Sequence, residues 1–412
     1  MLPETGCLEE TGNPYEPYRL LDPAGAVVIP VAVWFSELQA QGKPSSTVRS
    51  YGKDLLRWFR FLWAFGVPCE RASRVDARDF VRWMQMADKP VRMHWCYKAR
   101  GVTAPSRPPG LTGLEPGSPN PVTGKPTPGL KYAASTRAHA ETVLRSFYDF
   151  QLEEGMGPLL NPFPLDRARR GGRAHAHHDP REPFAAVRQG RYRPRVVQRI
   201  PRRIPDALFD ALFAALKYDR DRALLSSWVS TGARAEELLS SRQRDPDPGQ
   251  QLITVVRKGS RKQQALPAAP DTFVWLRLYQ EGAWGSGIPR GASLPLWWTL
   301  RRPWRPLNYH AARAMLIRAQ VLLGSNWTLH DLRHTAAYRM ARDPELPLTH
   351  VQWVLDHAHL STTQIYVTAG LEEIVEELLA YHARRATQPA PPPPPAAGYD
   401  PASLDVLFGR PR

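Results

Sequence analysis

The stretch LDHAHLSTTQIY, Leu355–Tyr366, decides how this chain is read. It gathers His357, a Thr-Thr pair and Tyr366 at the start of a short helical pattern. A tyrosine in a core needs no polar company. A tyrosine that attacks something does, because a phenol with a pKa of about 10 is a poor nucleophile at neutral pH. Groups able to help it stand upstream. TGARAEELL contributes Arg234, and a β-branched run ending in a basic turn, QLITVVRKGSRKQQALP, contributes Lys258. TLHDLRHTAAYRMA contributes His330 and Arg333, three apart on one helix face.

Phosphodiester chemistry calls for such a set. Its pentavalent transition state spreads negative charge over the non-bridging oxygens, and two guanidiniums neutralise it with fixed, forked donors. The leaving 5′-oxygen needs a proton, which a lysine on a mobile hairpin can deliver. A histidine can take the proton of the attacking phenol. With arginines supplying the positive charge, no metal ion or other cofactor is expected.

Bulk composition points the same way. The chain has 412 residues, room for two domains, with 42% hydrophobic residues to build cores. Its 55 Lys+Arg against 39 Asp+Glu leave a net charge of +16, which favours a polyanionic partner, double-stranded DNA first. The basic residues are mostly arginine, which forks onto phosphate oxygens. Cys7, Cys69 and Cys96 are too few and too widely spaced for a disulfide framework or a cysteine zinc site. The N-terminus lacks the apolar core of a signal peptide, and no apolar run is long enough to span a bilayer. The expected location is the cytoplasm, at the bacterial nucleoid.

Read along its length, the chain opens on a polar extension, residues 1–28. A helical DNA-binding domain follows over 29–165. Val48, Tyr51, Leu55, Trp58, Leu62 and Phe65 mark one apolar helix face, capped by Ser45 or Ser46 and ended by Gly66. The opposite face carries Arg49, Lys53, Arg57 and Arg60, candidate phosphate contacts. A further helix covers Asp76–Met86, and another starts at a Ser135 cap with Val143, Phe147 and Phe150 on one face. Between them, residues 101–130 are a Pro/Gly-rich insert without periodicity. This first domain is expected to be all helical. Residues 166–204 form a basic linker, whose HAHHD run reads as solvated rather than as a metal site. The second domain, 205–386, is mainly helical with a β-hairpin, and 387–412 form a Pro-rich tail.

The boxes TGARAEEL, HDLRHT and LDHAHLSTTQIY resemble those of the tyrosine recombinases, also called the phage integrase family. The order Arg, Lys, His-x-x-Arg, His, Tyr is the family's, and so is the nine-residue step from His357 to Tyr366. The resemblance is strong over about 205–385 and weaker, in pattern only, over about 29–160. It implies a mainly α fold with a small β-sheet: a helical, SAM-like core-binding domain plus a tyrosine-recombinase catalytic domain. It implies that Arg234 and Arg333 clamp the scissile phosphate and that Lys258 is the general acid, with Lys262 close enough to share the claim. His330 would be a general acid/base, His357 a phosphate hydrogen-bond donor, Tyr366 the nucleophile and Glu237 a buttress of the site. Lys262 also counts among the DNA-binding cations.

Three departures stand out. Asp356 fills a position that is often glycine in the family, the first domain carries the insert, and no sizeable extra domain for arm-type sites is expected. His334, beside Arg333, reads as structural; with His330 it does not make a metalloprotease motif, because Asp331 stands where that motif needs glutamate. The resemblance implies a site-specific recombinase, an integrase of a mobile element, working through a 3′-phosphotyrosyl intermediate. It would act as a homo-tetramer on two DNA sites, with an accessory directionality protein as a further partner. Two other functions are alternatives: a type IB topoisomerase-like strand transferase, which uses similar Arg/Lys/His/Tyr chemistry, and a non-catalytic DNA-binding regulator that keeps the recombinase fold.

Overall fold

The computed structural model describes residues 2–90, 115–166, 189–196, 202–367, 378–384 and 400–407. They fall into two compact units, Met1–Arg199 with Gln320–Asn326, and Ile200–Ala319 with Trp327–Arg412. The HAHHD run, most of the basic linker and most of the Pro-rich tail lie outside the described residues.

The first unit departs from the polar extension expected over residues 1–28. Residues expected to be a polar extension form an antiparallel hairpin, β1 (Cys7–Asn13) and β2 (Glu16–Leu21). Only Tyr18 and Leu20 of β2 alternate into the core, too short a period-2 signal to read from sequence. The hairpin packs on α1 (Ile29–Ala40) and α2 (Ser45–Ala64). Gly52 of α2 permits this, since a Cβ there would come within 2.6 Å of the Leu8 side chain. Arg60 ties down the preceding residues, its guanidinium donating to the carbonyls of Thr5 (2.7 Å) and Gly6 (3.0 Å).

The apolar face of α2 is buried at Val48, Leu55, Trp58 and Leu62. Phe65, expected on that face, lies past the last helical residue and is exposed. Trp58 centres an aromatic core: its ring meets Phe80 and Phe163 edge-on, and its indole N–H donates to the Tyr148 hydroxyl (2.8 Å). Phe80 belongs to α3 (Arg74–Met86) and Tyr148 to α4 (Ala134–Glu153). The expected serine caps are absent from α2 and α4; Pro44 and Ala133 hold the cap positions, and Ser45 and Ser135 lie inside the helices.

The second unit is built around α6 (Asp219–Thr231), which follows α5 (Asp206–Ala214) and is buried at Leu224, Leu225 and Trp228. A one-turn helix, α7 (Ala235–Leu239), comes next. The expected β-hairpin is present as β4 (Leu252–Val256) and β5 (Gln263–Pro267), joined on its other edge by a short β3 (Pro246–Asp247). Ile253, Val255 and Leu266 point into the core. Helices α8 (Pro270–Gly285), α9 (Tyr309–Val321), α10 (Leu329–Arg342), α11 (Leu348–Leu355) and α12 (Leu360–Gln364) follow. α8 and α10 pack against α6, and α11 against α10. Asp331 turns back to cap α10, accepting from the Thr328 backbone N–H (2.6 Å) and hydroxyl (2.7 Å). The TLHD box therefore starts a helix. No described helix is long and apolar enough to cross a membrane.

Candidate active site

The site forms where the loop between α6 and α7, the β4–β5 turn, α10 and the α11–α12 loop converge. Gly232 ends α6 in the left-handed region, φ 63°, and lets the chain reverse over Leu355 and Met340. Its carbonyl accepts from Arg333 (2.8 Å). Arg333, 3% exposed, also donates to the Leu355 carbonyl and to His357 Nε2 (3.2 Å). Burial and the neighbouring charge of Arg234 pull Arg333 down to about 10, so it stays a cation at neutral pH.

Arg234 sits just before α7 and is anchored by Glu237. The Glu237 carboxylate accepts from the Arg234 backbone N–H (2.9 Å) and guanidinium (2.8 Å), from Arg257 (2.9 Å) and from the Lys258 backbone N–H (3.1 Å). Burial pushes its pKa up, but these bonds and the charge of Arg257 outweigh it and hold the carboxyl at about 2. Arg257 is fully buried and lies outside the site residues expected from the sequence. Its guanidinium also binds Gln264 (2.7 Å) and the Val354 carbonyl, and Gln264 donates to the Trp353 carbonyl (2.9 Å). Together they staple the hairpin to α11. A signal was available: Ile253, Val255 and Arg257 alternate onto the same buried face.

Asp356 adopts the left-handed conformation, φ 52°, that aspartate tolerates better than most residues. Its carboxylate lies 3.6 Å from Arg234, so the residue in the usual glycine position adds a charge to the site. His357 follows. Its Nε2 accepts from Arg333, which places the ring proton on Nδ1, 2.9 Å from the hydroxyl of the fully buried Thr363. Burial, then the charges of Arg333 and Arg234, hold His357 down to about 4, so the imidazole is neutral at pH 7.

Tyr366 is 4% exposed and packs with Ala337, Val351 and Leu355. Its ring lies parallel to that of His357, with centroids 6.3 Å apart. Burial raises its pKa and Arg333 opposes the rise. Its hydroxyl lies 2.7 Å from Nδ1 of His334, a residue whose place in the sequence reads as structural. His330 is exposed one turn earlier, its ring 4.3 Å from that of His334.

The structure therefore brings Arg234, Glu237, Arg333, His357 and Tyr366 into one connected network. Lys258 joins it through its backbone, while its ammonium pairs on the surface with Glu236 (3.0 Å). Lys262 lines a cleft of about 620 Å³ with Gln264, Thr349 and Trp353, which ends at Asp356 and His357. In the first unit Arg49 is exposed, Lys53 and Arg57 border a second cleft with His139, and Arg60 is bound to the N-terminal carbonyls described above. Among the described residues no cluster of three His, Cys, Asp or Glu side chains could hold a metal ion.

Residues 203–372 match the phage integrase family. Tyrosine recombinase XerC of Xanthomonas campestris pv. campestris (strain B100) is 31% identical over 176 residues, 42% of this chain and 51% of that protein. Tyrosine recombinase XerD of Yersinia pestis is 28% identical over 178 residues, 40% of this chain and 55% of that protein. The chain thus spans about half the length of these curated relatives. In fold, it is similar to a lambda integrase dimer bound to a COC′ core site, with TM-score 0.50 and 13% identity over 88% of this chain and 78% of that one. It is also similar to the Tn1549 transposon integrase in complex with transposon right end DNA, with TM-score 0.51 and 13% identity over 87% of this chain and 99% of that one. The first unit is covered by these folds as well as the second. Residues 203–372, which carry this network, are thus similar to the phage integrase family, the tyrosine recombinases.

Proposed function

We propose that the chain is a site-specific DNA recombinase, an integrase of a mobile element, that breaks and rejoins strands through a 3′-phosphotyrosyl intermediate. The observation that carries this reading is the convergence of Arg234, Arg333 and His357 beside Tyr366, with both arginines held by buried partners. Preset donors cost no reorganisation when charge develops on the phosphate. Tyr366 attacks the phosphorus, and Arg234 and Arg333 neutralise the non-bridging oxygens. Lys258 leaves Glu236 and protonates the departing 5′-oxygen. His357 bonds the phosphate, whose negative charge favours the protonated imidazole that neighbouring arginines disfavour in its absence. The intermediate retains the phosphodiester bond energy, so a 5′-hydroxyl from a partner strand restores the backbone without ATP.

Double-stranded DNA is the proposed substrate. Support comes from the net charge of +16 and from the DNA present in the lambda and Tn1549 integrase complexes. The first unit, with Arg49, Lys53 and Arg57, is the proposed core-binding domain, and residues 205–386 the catalytic one. Four subunits acting on two sites, in the bacterial cytoplasm, complete the proposal; an accessory directionality protein is a further proposed partner.

The test is covalent capture on a nicked suicide duplex taken from the element's own junction, with EDTA present. Wild type should form a covalent protein–DNA band, and Tyr366→Phe should bind the same duplex and form none. A band that persists in Tyr366→Phe refutes the nucleophile, and a strict need for a divalent metal refutes the arginine-based mechanism.

A further inference from the structure

The proton on Tyr366 must go somewhere as its oxygen attacks, and the family resemblance points to His330. The geometry points elsewhere. His330 is exposed, whereas His334 Nδ1 is 2.7 Å from the Tyr366 hydroxyl, the reacting atom itself. We infer that His334 is the catalytic proton acceptor for Tyr366. This rests on the proposed recombinase chemistry and adds a residue to it.

Geometry and chemistry support the assignment on three counts. First, the 2.7 Å contact lets the phenol donate to Nδ1 in the tautomer whose ring proton sits on Nε2, the form in which His334 can act as a base. Second, Tyr366 is 4% exposed, so bulk water is a poor alternative acceptor. Third, His334 is fixed by the helix that sets the clamp: it adjoins Arg333 on α10, and its ring contacts that of His330 at 4.3 Å, a route toward solvent for the acquired proton.

The step balances. The Tyr366 O–H bond breaks and its proton adds to His334 Nδ1. The phenolic oxygen bonds to phosphorus, the P–O5′ bond breaks, and the departing 5′-oxygen takes a proton from the hairpin lysine. In rejoining, the incoming 5′-hydroxyl attacks, its proton returns to the lysine, and the tyrosine oxygen leaves with the proton from His334.

The experiment is single-turnover covalent capture with the full chain, comparing wild type, His334→Ala, His334→Gln, His330→Ala and Lys258→Ala, with duplex binding followed by anisotropy. Each is assayed on ordinary duplex and on duplex carrying a 5′-bridging phosphorothiolate, whose sulfur leaves without a proton. His334→Ala should bind duplex like wild type and cleave about 100-fold slower or worse. That defect should persist on the phosphorothiolate, where Lys258→Ala recovers, and added imidazole should restore part of the rate. His334→Gln, which can accept a hydrogen bond but not a proton, should be equally slow. Wild-type rates in His334→Gln would overturn the inference, leaving a hydrogen-bonding role only. So would a His334→Ala defect erased by the phosphorothiolate, or a larger, unrescued defect in His330→Ala. If wild type itself forms no adduct, the proposed function falls and the inference with it; adduct formation by both wild type and His334→Ala at one rate removes the inference alone.

Discussion

Replacing Glu237 by Gln tests the support of the site while leaving every proposed reacting side chain in the sequence. The wild-type carboxylate is 2% exposed and accepts four hydrogen bonds, one from the fully buried Arg257. Glutamine has nearly the same shape, but its amide NH₂ must face one of those donors. Arg257 then stays buried without a counter-charge, a change that typically costs about 3–5 kcal/mol. The pH dependence gives a second figure. The drop from 4.5 to about 2 corresponds to about 3 kcal/mol at roughly 1.4 kcal/mol per tenfold change. The two routes agree. Because the folded carboxyl titrates below its unfolded value, this stability is fully present above about pH 4.5 and is lost as pH falls toward 2. Denaturant titrations of the whole chain, wild type beside E237Q, should show a gap of about 3 kcal/mol at pH 7 that shrinks to about half by pH 3. A gap under about 1 kcal/mol at pH 7, or one that does not narrow in acid, would refute the reasoning.

Three further outcomes are expected. Arg333→Lys should bind duplex but lose about 3 kcal/mol of cleavage in single-turnover capture, since lysine cannot fork onto the Gly232 and Leu355 carbonyls and a phosphate together; a rate within tenfold of wild type sinks the clamp. Gly232→Ala should destabilise the chain by about 2 kcal/mol in chemical denaturation, because φ 63° strains alanine and its Cβ meets the Leu355 side chain at 3.0 Å. His357 should titrate near 4 by NMR in the free protein and higher with duplex bound. Its folded pKa lies below the ordinary 6.5, so it should lower stability as pH falls from about 6.5 toward 4, an effect absent in His357→Asn; titration near 6.5 in the free protein contradicts the observed packing.

By itself the sequence determined the features that act over short range. Helical pattern located α2 and α3, and a β-branched run with its basic turn located β4 and β5. The three-residue step from His330 to Arg333 and the nine-residue step from His357 to Tyr366 carry their meaning in the spacing alone. The tertiary structure decided what depends on partners far along the chain. Arg257 binds Val354, 97 residues away, and so is a buried staple rather than one more basic residue of the turn. His334 meets Tyr366 across 32 residues, and its neighbour His330, alike in sequence, faces outward. Leu8 finds its place only because Gly52 of α2 leaves room for it, which turned an apparent extension into a hairpin. Periodicity reports which face of an element is apolar. It does not report which distant group supplies the counter-charge or the proton acceptor, because only the closed fold brings those groups within hydrogen-bonding distance.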